Sequence, residues 1–155
     1  MKPLRQNTLF ALNDYAHKKF GEWLRRCNAR GVAILIYETY RSPERQDTLY
    51  AQGRTSEGPI VTNARAGESK HQDRVAIDSV PWEQAIMEGG DIKSKLDWTP
   101  FHKKSDEAEF RKTKDRWLLT RPWRVMAEEA DKLKIKWAGD WDNFVEYVHF
   151  EVEED

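Results

Sequence analysis

The chain has 155 residues with 26 basic and 27 acidic side chains, which gives a formal net charge of −1. This length fits one domain, and the charge balance argues against nucleic-acid binding, which depends on a basic surface that neutralises phosphates. No apolar run approaches the roughly 20 residues that a membrane-spanning helix requires. We therefore expect one globular domain over residues 1–155, which neither binds nucleic acid nor inserts into a membrane. We also expect the protein to be a monomer.

The first predicted element is an amphipathic helix from about Thr8 to Asn28. Its apolar residues recur at steps of three and four, and Asn7 is suited to cap its N-terminus. Gly31 then breaks the pattern, as glycine commonly does after a helix. The next segment, VAILIY at residues 32–37, is a continuous apolar run, which predicts a strand that is buried on both faces.

The residues after this strand predict a second helix, a loop and a second strand. Ser42 is suited to cap the helix, Pro43 to occupy its first position and Gly53 to end it. Residues 54–67 are rich in turn formers, so we expect a surface loop there. The short apolar segment at residues 75–80 then predicts a strand.

The C-terminal half predicts an insertion, a helix and a closing strand. Residues 91–117 are polar with isolated aromatic side chains, and we interpret them as an insertion with some helix. TRPWRVMAEEADKL predicts a helix that begins near Thr120 or Arg121, and VEYVHFEVE alternates as a strand does. Because helices and strands are mixed without regular alternation, we expect an α+β fold, with a small antiparallel sheet flanked by helices.

Two of the four histidines stand near carboxylates. Asp78 follows His71 by seven residues in SKHQDRVAID, and Glu146 precedes His149 by three in EYVH. Catalytic zinc is held by about three ligands drawn from histidine and carboxylate, and a further carboxylate can act as general base. Residues three apart on a strand point to opposite faces, so Glu146 and His149 can share one site only if the backbone turns before the strand begins. From spacing alone, a zinc site and structural histidines both remain open.

Three segments of the chain resemble a known family in the same order. SKHQDRVAID resembles the S-x-H-x-x-G-x-A-x-D element of the zinc D,D-carboxypeptidases, D-alanyl-D-alanine dipeptidases and L-alanyl-D-glutamate endopeptidases of bacteria and phages. EYVHFE resembles their closing E/D-x-x-H element, and YRSPERQDTLYAQGRT resembles their upstream segment, in which an arginine follows a buried strand. WAGDW is similar to the phage endolysin branch. The resemblance covers about residues 8–152, nearly the whole chain.

This resemblance implies a role for five side chains around a zinc cleft. His71, Asp78 and His149 would bind Zn²⁺. Glu146 would be the general base, which takes a proton from the attacking water and passes it to the leaving amine. Arg41 would hydrogen-bond the scissile carbonyl or a substrate carboxylate as negative charge develops.

One residue departs from the family pattern. Arg74 stands where the family has a glycine, three residues after the first histidine ligand. If that position needs a positive φ, arginine costs about 1 kcal/mol or more there, and the loop differs in shape. Ser69 and Gln46 match the family pattern, and we expect them to support the local structure.

The resemblance implies a peptidoglycan hydrolase whose partner is the stem peptide of the bacterial wall. We expect a zinc-dependent endopeptidase of the L-alanyl-D-glutamate bond, from a phage or prophage. The alternatives are a D-alanyl-D-alanine carboxypeptidase or dipeptidase, and an inactive wall-binding structural protein. The first 20 residues carry scattered charges and lack the apolar segment of a secretory signal. We therefore expect an endolysin that is made in the cytoplasm and reaches the wall in the periplasm after release by a separate membrane-permeabilising protein.

Overall fold

The computed structural model describes residues 4–154 of the chain. Within them the α-helices and strands are, in chain order, α1 Asp14–Ala29, β1 Ala33–Glu38, α2 Pro43–Ala51, β2 Ala76–Ile86, β3 Ile92–Leu96, α3 Lys104–Thr113, α4 Arg121–Lys132, β4 Lys136–Trp137 and β5 His149–Glu151. The strands form one antiparallel sheet in the order β1-β2-β5-β4, and β3 pairs with the end of β2. This architecture confirms the predicted α+β fold.

The predicted single domain spans residues 1–155. Residues 1–3 and 155 of that range lie outside the described residues. As for membranes, none of the helices within residues 4–154 combines the length and the apolar character that crossing a bilayer requires.

The first helix begins later than the sequence predicted. A short 3-10 turn capped by Thr8 comes first, and α1 starts at Asp14. Its cap is Asn13, whose side chain accepts a hydrogen bond from the amide of Ala16 at 2.8 Å. The predicted cap at Asn7 is therefore wrong. Thr8 and Asn13 are also suited to cap a helix, and both lie within the periodic apolar segment. The periodicity alone does not show which of these residues begins the helix.

The strand β1 lies at the edge of the sheet and pairs with β2. Leu35 in its middle is 39% exposed, so the predicted burial of this strand on both faces is wrong. The apolar run reflects the packing of α1 against β1, which covers one face. The register shifts between Ile36 and Glu38, and this irregularity brings Glu38 opposite Asp78 of β2.

The structure confirms the predicted start of α2 and the predicted surface loop that follows this helix in the sequence. The side chain of Ser42 accepts a hydrogen bond from the amide of Arg45 at 3.1 Å, and Pro43 occupies the first turn. The helix ends two residues before Gly53, which adopts a φ of 78°. Residues 54–67 form turns and bends and are mostly exposed, as predicted.

The strand β2 is longer than predicted, because it continues beyond residue 80 into a hairpin with β3. The region interpreted as an insertion, residues 91–117, therefore contributes to the sheet, and it also contains α3. Phe110 of α3 is buried, with its ring centroid 5.4 Å from that of Phe101 and 5.8 Å from that of Trp137. The hydroxyl of Tyr147 donates to Glu107 of α3 at 2.8 Å. The helix α3 thus supports the segment that precedes β5.

The helix α4 begins where the sequence predicted and closes the core. Thr120 precedes it, Pro122 lies in its first turn, and its apolar stripe is buried. The indole nitrogen of Trp23 in α1 donates to the carbonyl of Met126 in α4 at 3.0 Å, so the two helices are joined by a buried hydrogen bond as well as by apolar contact.

The closing strand β5 spans only His149–Glu151, although the alternation predicted a strand over residues 145–153. Residues 147–148 form a turn, and the amide of His149 donates to the carbonyl of Glu146 at 3.2 Å. The backbone therefore turns directly before the strand begins. This turn is the condition under which Glu146 and His149 can face one site.

Candidate metal centre

The side chains of His71, Asp78 and His149 converge, with one potential ligand atom of each lying within 4.8 Å of the other two. Nε2 of His71 is 3.2 Å from Oδ1 of Asp78, and Nδ1 of His149 is 3.3 Å from the same oxygen. All three residues are buried. The sheet register brings two of them together, because Asp78 of β2 is directly opposite His149 of β5 and paired residues project to the same face.

The ring of His71 is oriented by the segment that follows β1. Its Nδ1 lies 2.7 Å from the carbonyl oxygen of Thr39. A carbonyl can only accept, so Nδ1 carries a hydrogen, and Nε2 is the nitrogen that faces Asp78 and could bind a metal. The amide of His71 also donates to the hydroxyl of Ser69 at 3.3 Å, which agrees with the supporting role expected for that serine.

The ring of His149 is oriented by Glu151, a residue that sequence reasoning missed. Nε2 of His149 lies 2.8 Å from Oε2 of Glu151, and both residues are about 7% exposed. The two residues are two positions apart on β5, so their side chains share a face. That spacing of two, visible in the sequence HFE, is the signal that could have identified Glu151.

The neighbours of the cluster set the protonation of its members. Burial alone would raise the pKa of Asp78, but the charge of His71 and the hydrogen bond from His149 hold that pKa well below its usual range. Burial alone would lower the pKa of His149, but its hydrogen bonds to Asp78 and Glu151 raise that pKa to about 9. Without a metal, the ionised carboxylate of Asp78 therefore lies between the imidazolium of His149 and the guanidinium of Arg41.

Arg41 reaches the cluster through the second oxygen of Asp78. Its Nη2 donates to Oδ2 of Asp78 at 3.1 Å and to Glu38 at 2.9 Å, and its Nη1 donates to Gln46 at 2.9 Å. Glu38 is also paired with Arg45. Arg41 is only 7% exposed, so these contacts hold its guanidinium firmly. They orient the Asp78 carboxylate, with Oδ1 left to face the imidazoles. A direct contact between Arg41 and a substrate stays a prediction.

Glu146 stands beside the cluster. Its Oε2 is 3.9 Å from Nδ1 of His149, and 42% of its side chain is exposed to the cleft. Burial raises the pKa of the Glu146 carboxyl above its usual value. The hydroxyl of the next residue, Tyr147, is bonded to α3, which limits the motion of this segment.

The cluster lies in an open cleft of about 700 Å³. Tyr37, Trp141 and Phe144 supply aromatic walls, and the ring of Trp141 lies 5.7 Å from that of His149. Arg5 and Lys70 add positive charge to the lining. A cleft of this volume accommodates a short peptide.

Arg74 adopts a φ of 62°, so this position has the left-handed conformation in which a side chain is strained. Contacts on the outside of the loop compensate for that strain. The guanidinium donates to the carbonyl of Ala11 at 2.8 Å and lies 3.9 Å above the ring of Tyr40. The carbonyl of Arg74 accepts from the amide of Asn13 at 3.0 Å. These contacts attach the loop between His71 and β2 to the start of α1.

Replacing Arg74 tests this balance of strain and contact. Both Arg74→Ala and Arg74→Gly lose the side-chain contacts, but only glycine also relieves the positive φ. We expect Arg74→Gly to have a free energy of unfolding about 1 kcal/mol higher than that of Arg74→Ala, measured by urea denaturation. Equal stability of the two variants would show that the loop relaxes to another backbone conformation when the arginine is removed.

Known proteins resemble this chain in sequence and in fold. The family model VanY, described as D-alanyl-D-alanine carboxypeptidase, matches residues 10–123, a range that includes His71 and Asp78 and ends before Glu146. The peptidoglycan L-alanyl-D-glutamate endopeptidase CwlK of Bacillus subtilis (strain 168) is 33% identical over 131 residues. That alignment covers 79% of this chain and 62% of CwlK, so the chain spans less than two thirds of the length of this relative.

A solved structure extends the likeness to the C-terminal part of the chain. The crystal structure of the Serratia marcescens L-Ala D-Glu endopeptidase ChiX matches with a TM-score of 0.51 at 16% identity, covering 94% of this chain and 83% of that one. At this identity the match supports the fold alone, and it agrees with the architecture described above.

Proposed function

This chain belongs to the VanY family, and from that premise we propose that it is a zinc-dependent peptidase of the peptidoglycan stem peptide. The observation that carries the proposal is the convergence of His71, Asp78 and His149 at one cleft, with Glu146 beside them. The relative CwlK is named for cleavage of the L-alanyl-D-glutamate bond, so we propose that bond as the one cut.

The donor set fits zinc. Two imidazole nitrogens and one carboxylate oxygen are the protein ligands of many catalytic zinc sites, in which the remaining position is open. With bonds of about 2.0–2.1 Å in a tetrahedron, neighbouring ligand atoms lie about 3.3 Å apart. The two separations from Oδ1 of Asp78, 3.2 and 3.3 Å, match that value, and the ligand atoms of all three residues lie within 4.8 Å of one another.

The residues of the chain then have distinct tasks. When bound, zinc would supply Lewis acidity, which brings the pKa of water at the open position toward neutrality. Glu146 would accept the proton of the attacking water and deliver it to the leaving amine. Its raised pKa favours this exchange, because a general base works best when its pKa lies near the working pH. Arg41 would hold Asp78 in its ligating orientation and offer its remaining N–H to the substrate.

We also propose a phage or prophage lysis enzyme that acts on the wall in the periplasm. The similarity of WAGDW to the endolysin branch supports this part of the proposal. The main alternative, removal of the terminal D-alanine, is favoured by the description of the family model. An inactive wall-binding protein would bind a muropeptide without cutting it.

One experiment separates these possibilities. The purified protein is analysed for metal content and then incubated with a defined muropeptide, whose products are identified by mass spectrometry. We expect about one zinc per chain and a product with a new N-terminal D-glutamate. Release of free D-alanine would instead identify a carboxypeptidase or dipeptidase. Binding of the muropeptide without any product would identify a wall-binding protein.

A further inference from the structure

We propose that Glu151 is a positioning residue, which fixes the ring of His149 so that Nδ1 faces the metal position. This inference rests on the proposed function, since it assigns a residue to the zinc affinity of the same site. The resemblance that identified the ligands and the base does not assign a role to Glu151.

The geometry determines which nitrogen of His149 can bind a metal. Oε2 of Glu151 lies 2.8 Å from Nε2, whereas Nδ1 faces Oδ1 of Asp78 at 3.3 Å. An ionised carboxylate only accepts hydrogen bonds, so Nε2 must carry the hydrogen. In the neutral ring the lone pair is then on Nδ1, directed toward Asp78. Without Glu151, the ring can adopt the other tautomer or rotate.

The position of Glu151 in the sheet gives this contact its rigidity. The residue lies on β5 between two neighbouring strands, opposite Ala76 of β2 and Lys136 of β4. Backbone pairing on both sides fixes the direction in which its side chain leaves the strand, and 7% exposure leaves little space for other rotamers. Glu151 is therefore placed as firmly as His149 itself.

The charge of Glu151 distinguishes it from the partner of the other imidazole. His71 is oriented by a neutral carbonyl, that of Thr39, whereas His149 is oriented by a carboxylate. A negative partner on the far nitrogen makes the ligating nitrogen a stronger donor, and removal of such a partner typically weakens metal binding by about 10–100-fold. We expect an effect of this size for Glu151→Ala.

The test measures zinc affinity, a quantity that does not depend on turnover. Metal-free protein competes with a chromophoric chelator for zinc, for the wild type, Glu151→Ala and Glu151→Gln. The glutamine oxygen can still accept the hydrogen bond from Nε2 but carries no charge. We therefore expect Glu151→Ala to bind zinc about 10–100-fold more weakly and Glu151→Gln to lie between it and the wild type.

Glu153→Gln is the matched control, since Glu153 follows Glu151 by two residues and pairs with Lys136 at the surface, with 58% of its side chain exposed. It should bind zinc like the wild type. Circular dichroism checks that each metal-free variant is folded, and Glu151→Gln decides the matter if the alanine variant does not fold. If the folded alanine variant binds zinc within twofold of the wild type, the role of Glu151 is overturned. If the alanine variant does not fold, the same result for Glu151→Gln overturns it. A wild type that binds no zinc would overturn the proposed function too.

Discussion

Replacing Glu146 with glutamine is expected to lower the rate of muropeptide cleavage by about 10²-fold or more while zinc stays bound. The glutamine side chain has the same shape but cannot accept a proton from water. Glu146 lies beside the cluster, with its carboxylate 3.9 Å from Nδ1 of His149, but it is not one of the three residues whose ligand atoms converge, so its replacement leaves that donor set intact. The effect should appear in kcat, with KM changed little, because the proton is transferred only as the reaction proceeds.

The controls for Glu146→Gln are zinc content and a second substitution of the same kind. Glu109 is exposed on α3, and Glu109→Gln should cleave at the wild-type rate. Metal analysis should find about as much zinc in Glu146→Gln as in the wild type. If Glu146→Gln retained its turnover, another group would have to act as the base. Loss of zinc together with turnover would show that Glu146 is itself a ligand.

Local sequence signals predicted a helix start correctly where a second signal accompanies the capping residue. Ser42 is followed directly by Pro43, and this pair predicted the start of α2 correctly. At α1 the predicted cap was Asn7, whereas Thr8 caps a short turn and Asn13 caps the helix. The choice between such candidates depends on tertiary contacts, among them the hydrogen bond from the amide of Asn13 to the carbonyl of Arg74.

The predicted burial of β1 and the predicted length of β5 were wrong, because both depend on the neighbouring strands in the sheet. A continuous apolar run suits an internal strand as well as an edge strand covered on one face, and β1 is the latter. The alternation of residues 145–153 suits a long strand, yet pairing with β2 and β4 holds only residues 149–151 in the sheet. Neither outcome is encoded in local periodicity, because both depend on which segments become neighbours.

The composition of the candidate site was easier to predict than its supporting contacts. The resemblance indicated which histidines and carboxylates should meet, and the pairing of Asp78 with His149 brings two of them together. The contacts of Arg41 with Glu38 and Asp78 depend on the register between β1 and β2, which no motif describes. A motif records which side chains recur, whereas the partners that orient them are set by the packing of distant segments.

Replacing His71 with alanine is expected to remove zinc and activity together, in contrast to Glu146→Gln. The ring of His71 is fixed by the carbonyl of Thr39 and faces Oδ1 of Asp78, so its loss leaves two of the three ligands, too few for a stable catalytic zinc site. Exhaustive chelation should bring the wild type to the same inactive state, and added zinc should restore the wild type but not His71→Ala.

The control for His71→Ala is a histidine outside the cleft. His102 is exposed, and His102→Ala should keep its zinc and its rate. The two histidine variants therefore separate loss of a ligand from loss of any imidazole. If the wild type still cleaved muropeptide at full rate after its zinc had been removed, as verified by elemental analysis, the reaction would not need the metal. Glu146 would then have to deprotonate water without a metal. A single carboxylate does this slowly near neutral pH, because the pKa of free water is far higher than that of metal-bound water.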